Sequence, residues 1–82
     1  MRVETLYAAM QYHFDEDERS DGLRLCLYLA GGHKLTGIPH GEMHKMLTLT
    51  PTNDSGRADE DHDWDAIVLD IADIVAVRAF VI

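Results

Sequence analysis

Side chains able to do chemistry are few and scattered in this chain of 82 residues. Asp61, Asp63 and Asp65 stand at alternate positions, the spacing that opens a calcium loop. Such a loop also needs glycine at its sixth position and glutamate at its twelfth. Ala66 and Ala72 fill those positions, which excludes an EF-hand and leaves a solvated acidic segment. His40 and His44 lie four apart, with His33 nearby. A helix would bring the pair to one face for a metal. Pro39 and Gly41 oppose a helix there, and no third spaced ligand follows. The histidines read instead as surface groups able to make an assembly sensitive to pH. Cys26 is the one cysteine, and a nucleophilic thiol needs a base and an electropositive setting. His33 and Lys34 are the nearest candidates, but a half-buried structural thiol is the simpler reading. Ser20 and Ser55 have no triad around them, and Trp64, set among acids, is either a lid on the fold or an exposed anchor. No nucleophile–base pair and no phosphate loop can be assembled from these residues, so the expectation is a non-enzymatic protein with no cofactor and no metal.

The elements that would hold these residues are those of one small domain over residues 1–82. Apolar residues make up 46% of the chain, enough for a core. A domain of this size buries only about 60% of the surface its unfolded chain exposes. With a single cysteine it has no internal disulfide, so support from a partner or from further copies is expected. Seven basic residues against 15 acidic ones give a net charge of −8, which disfavours generic binding to phosphate backbones. No apolar run approaches the ~18–20 residues of a membrane span. The start, Met1-Arg2-Val3-Glu4-Thr5, does not resemble a cleavable leader. A cytoplasmic protein without membrane contact is expected.

Residues 3–14 place Val3, Leu6, Tyr7, Met10 and Phe14 on one helical stripe. A strand with Leu6, Ala8, Met10, Tyr12 and Phe14 on one face is the alternative, and the acids at 15–18 would burden the end of a helix. Past the turn-prone stretch to Gly22, the period becomes two: Leu23, Leu25, Leu27 and Leu29 alternate with Arg24, Cys26, Tyr28 and Ala30. Gly31-Gly32 signals a tight turn into a second strand from His33 to Ile38, with Gly37 marking a bulge or bend. Pro39 and Gly41 interrupt the chain, and a third strand covers about 43–50. Residues 51–65 read as a long acidic loop. A fourth strand covers about 66–71, and a fifth runs 74–82, apolar on both faces apart from Arg78. A helix followed by five bent antiparallel strands implies a mainly β fold, a small barrel. An apolar terminal strand cannot stand bare at a sheet edge, so self-association by strand addition is expected.

The stretch Leu23-Arg24-Leu25-Cys26-Leu27-Tyr28-Leu29-Ala30-Gly31-Gly32-His33-Lys34-Leu35-Thr36-Gly37 resembles the first signature of Sm and Sm-like proteins, bacterial Hfq included. Gly32 and Gly37 stand where that family keeps its glycines. Glu42-Met43-His44-Lys45-Met46-Leu47-Thr48-Leu49 is similar to the family's acid-to-leucine stretch, and Leu69 to Val75 falls at its second signature. The resemblance implies an SH3-like barrel of Sm type. It implies a ring closed by the fourth strand of one copy on the fifth of the next, with Val68, Ile74, Val75, Val77, Phe80 and Val81 at the interface. It also implies a nucleotide pocket at Glu42, His44, Met46 and Asp70. There the family's asparagine is Met46 and its arginine is Asp70, a reversal of charge.

Three functions follow as expectations. The first is a homo-oligomeric Sm-like ring that binds or scaffolds, taking a protein ligand in preference to RNA through the helix or the loop at 51–65. The second is weak binding of single-stranded RNA through Glu42, His44, Lys34, Lys45 and Arg78. The third is an acidic imitation of nucleic acid, built on the runs 15–18 and 59–65, that occupies a basic partner.

Overall fold

The computed structural model of the chain describes residues 1–17, 22–57 and 66–82, with the side chains of 13–17 left aside. Helix α1 spans Val3–Asp17. It is followed by β1 (Leu23–Leu29), β2 (Lys34–Met43), β3 (Met46–Pro51), β4 (Ile67–Asp70) and β5 (Ile74–Val81). A 3-10 turn over Ile71–Asp73 links β4 to β5. The fold is mainly β, one N-terminal helix ahead of a five-stranded antiparallel sheet, as the periodicity implies.

The helix, rather than the alternative strand, forms at the N-terminus because its stripe has something to bury. Leu6 is fully buried, and Val3 and Met10 pack on the same core. Tyr7 departs from the expected stripe and is exposed. Phe14 lies among the side chains not described. The acids at 15–17 continue the helix instead of ending it.

The strand order is β4-β3-β2-β1-β5. Alternation sets the core: Leu25 and Leu27 of β1, Leu47 and Leu49 of β3, Ile71 and Ile74 join Leu6 in one buried cluster. Burying a leucine or isoleucine side chain contributes roughly 1.5–3 kcal/mol, so this cluster is a main source of stability. Leu25 pairs with Gly37 on β2 and with Ala79 on β5. Gly37 is placed by close packing: a β-carbon there would stand 2.5 Å from the Thr50 carbonyl oxygen and 2.6 Å from the Leu49 side chain.

Three local features differ from the sequence expectation. Strand β2 does not stop at Ile38 but runs on through Pro39 and Gly41 to Met43. The irregularity in its pairing with β3 falls between Pro39 and Gly41, so His40 is the extra residue and Gly37 is paired normally. A proline lacks an N–H, which a bulge or strand edge tolerates. The third strand starts at Met46, because His44 and Lys45 form the turn before it. The sheet is also not a closed barrel. β4 and β5 stand at its two ends, the 3-10 turn carrying the chain across to the far side of β1.

Candidate functional site

The turn between β2 and β3 is the most unusual local structure among the described residues. Met43 pairs with Met46, leaving His44 and Lys45 as a two-residue connection. Both have positive φ, 54° and 63°. That conformation is ordinary for glycine or asparagine and costs other residues about 1–2 kcal/mol each. Glu42 holds it. One carboxylate oxygen accepts the Lys45 N–H at 2.9 Å, and the other accepts the Tyr7 hydroxyl of α1 at 3.0 Å. That hydrogen bond, with smaller effects of desolvation and of the carboxylate's charge, raises the Tyr7 pKa above its usual 10.0. Glu42 therefore joins helix, strand and turn.

The end of β4 reaches the same corner. Met46 pairs with Asp70, and the Ile71 N–H donates to the Lys45 carbonyl at 3.0 Å. An Asp70 carboxylate oxygen accepts the Ala72 N–H at 2.9 Å and so caps the 3-10 turn. The first turn of α1 lies alongside. Together these segments enclose a cavity of about 310 Å³ lined by Arg2, Val3, Glu4, Lys45, Asp70, Ile71 and Ala72, among others. Its charges are mixed, Arg2 and Lys45 against Glu4 and Asp70. A smaller hollow of about 240 Å³ is lined by His40, Gly41, Glu42, Met43 and Thr48.

Glu42, His44, Met46 and Asp70 thus lie on one corner of the sheet, although 28 positions separate the first from the last. Their chemistry is structural first. Glu42 spends both oxygens on the chain, and Asp70 spends one on its own turn. Neither the role of Glu42 nor the Tyr7 contact was legible in the sequence. The turn carries no glycine or asparagine to announce it, and Tyr7 and Glu42 are 35 residues apart.

The residues assigned to the interface divide. Ile74 is only 1% exposed and belongs to the core of its own chain, and Val77 packs against that core. Val68 and Val75 are 62% and 69% exposed. Phe80 is half-buried. A β-carbon added at Gly56 would meet its ring at 3.0 Å, so the segment after β3 folds over it. Val81, half-buried, pairs with Leu23.

Other candidates are dispersed. Cys26 is buried rather than half-buried, opposite the buried Thr36 on one side and Arg78 on the other. Lys34 pairs with Tyr28 instead and forms an exposed 3.7 Å ion pair with Asp54. The ring Nε2 of His40 lies 2.5 Å from the Thr50 hydroxyl oxygen, while His44 sits in the turn and His33 is exposed. Among the described residues no three His, Cys, Asp or Glu side chains converge as metal ligands. Asp61, Asp63, Asp65 and Trp64, with the acidic runs at 15–18 and 59–65, lie outside the described side chains. Among the described residues no helix is long and apolar enough to cross a membrane.

Compared with family models, with curated proteins and with solved structures, the chain matches none.

Proposed function

We propose that the chain is the protomer of an Sm-like homo-oligomeric ring, a non-enzymatic binding or scaffold module whose ligand is a protein. The observation that carries this reading is the pair of edges. β4 and β5 are the two outer strands of an open antiparallel sheet, and among the described residues no strand covers either outer edge. Each bears an exposed valine, Val68 and Val75. An exposed apolar edge is a template for pairing, and one that joins unlike edges repeats from copy to copy until the rotation closes. The glycine turn after β1, the close packing of Gly37 and the helix before the first strand fit the same reading. The net charge of −8 directs the ligand away from RNA.

Light scattering tests the assembly. The wild-type chain is expected at a fixed multiple of its monomer mass at micromolar concentration. Val68→Glu and Val75→Glu alter exposed side chains, so each is expected to fold and to run as a monomer. A wild-type monomer with no larger species overturns the reading.

A second reading, single-stranded RNA at the corner of Glu42, His44, Met46 and Asp70, draws support from the adjoining cavity, where Arg2 and Lys45 offer cations beside the acids Glu4 and Asp70. Its mark is an affinity for labelled oligo-U or oligo-A that falls steeply with added salt. The absence of any binding at low salt removes it.

A further inference from the structure

The sheet has a face turned away from the core, and that outer face is divided in two. Residues opposite one another in an antiparallel pair carry their side chains on the same face. Leu47 and Leu49 belong to the core, so Met46, Thr48 and Thr50 of β3 lie on the outer face. Met43, Gly41 and Ile38 of β2 stand opposite these and share it. Asp70 and Val68 of β4 stand opposite Met46 and Thr48 and share it too. Cys26, between the core residues Leu25 and Leu27, adds β1 to the same face, with Thr36 as its partner.

The chain itself covers one half of this face. Cys26, Thr36 and Thr50 are buried there. The segment after β3 lies over this half: Arg24 Nε donates to the Gly56 carbonyl at 2.6 Å, and Gly56 packs against the Phe80 ring. The other half is bare. Met43 is 71% exposed, Met46 48% and Val68 62%, at adjoining positions on three neighbouring strands. His40, hydrogen-bonded to Thr50, stands between the halves and is one wall of the hollow over Gly41, Met43 and Thr48.

Gly41 makes that hollow. Its φ is not positive, and a β-carbon built on it would meet no atom within 4 Å beyond its chain neighbours. Neither conformation nor crowding inside the chain calls for a glycine there, in contrast to Gly37. The missing side chain leaves an open recess beside two exposed methionines. Exposed apolar patches mark interaction sites, and the flexible methionine side chain adapts to a partner's shape.

Charge decides the occupant. Lys45 in the adjoining turn and Asp70 opposite Met46 offset one another at the end of the patch, so the charge of the whole chain selects. A net charge of −8 repels the same face of a second copy and any anionic ligand, and it attracts a cationic one. Resting on the reading of the chain as a binding module for a protein, we propose that the bare half of the outer face docks a basic amphipathic segment of a partner protein. One apolar side chain of that segment sits in the recess at Gly41, between Met43 and Thr48.

Fluorescence polarisation tests this with two labelled peptides. One is an amphipathic peptide of leucine and lysine, and the other has glutamate in place of every lysine. The full-length wild type is compared with Gly41→Leu and with the double variant Met43→Ser, Met46→Ser. Circular dichroism checks folding and light scattering gives the mass. Neither variant changes the net charge, so long-range attraction is the same in all three. The wild type is expected to bind the lysine peptide and not the glutamate peptide. Each variant is expected to bind the lysine peptide about tenfold more weakly, with its mass unchanged. The double variant carries the test if Gly41→Leu does not fold. Equal binding by wild type and variants, binding of both peptides alike, or no binding by the wild type overturns the proposal. A lower mass in the variants also overturns it, because the patch would then join copies of this chain. A monomeric wild type that binds the lysine peptide through this face overturns self-assembly and leaves the docking site standing.

Discussion

Glu42 ties the helix to the turn between β2 and β3. Its two oxygens serve Tyr7 on the helix and the Lys45 N–H in the turn. The bond to Tyr7 uses the protonated phenol, so it is intact below pH 10 and is lost as pH rises through the raised pKa. Absorbance titration is expected to show a late tyrosine ionisation, above pH 10.0, and Tyr7→Phe is expected to remove that late step. An unchanged late step in the variant contradicts the assignment. The turn that Glu42 holds contains two non-glycine residues at positive φ, His44 and Lys45. Lys45→Gly relieves one of them and is expected to stabilise the fold by up to about 1 kcal/mol in urea unfolding. A loss of stability would mean that the lysine side chain does more in the turn than the backbone geometry implies.

At the scale of elements, the sequence was most legible where one face is buried. The leucines at 23, 25 and 27 alternate because one face of β1 lies on the core, although Cys26 on its other face is buried as well. Leu49→Ala, at a fully buried position, is expected to cost about 2–5 kcal/mol. Gly37 was read as a bend, but its constraint is space: Gly37→Ala drives a β-carbon into the Thr50 carbonyl and the Leu49 side chain. Overpacking of this kind costs about 1–3 kcal/mol, and a neutral effect in unfolding would show that β3 yields there. The bulge at His40 and the turn at His44–Lys45 were hidden for one reason. Both are set by register with β3, a long-range property, and neither carries the glycine–asparagine signal that marks such turns locally. The helix was legible only in part. Leu6, Val3 and Met10 follow the stripe, while Tyr7 leaves it for a partner 35 residues away.

For the molecule as a whole, the apolar tail of the sequence has two uses. Ile74 and Val77 serve the chain's own core, and Phe80 is half-buried beneath the segment after β3. Val75 and, on the far strand, Val68 remain exposed at the two ends of the sheet. Alternation in the sequence announced the strands but not their order, because order depends on which strands pair across the fold. Only the order β4-β3-β2-β1-β5 shows that the exposed valines belong to opposite edges. The corner of Glu42, His44, Met46 and Asp70 is likewise a product of that order. Amide hydrogen exchange tests the central claim at its source. By the register of the sheet the N–H groups of Val68 and Val77 point away from β3 and β1, and in joined edges both become bonded. The account predicts that these two amides are strongly protected at high protein concentration and lose protection together on dilution, while Leu25 and Leu47 stay protected throughout. Rapid exchange at Val68 and Val77 at every concentration would contradict it.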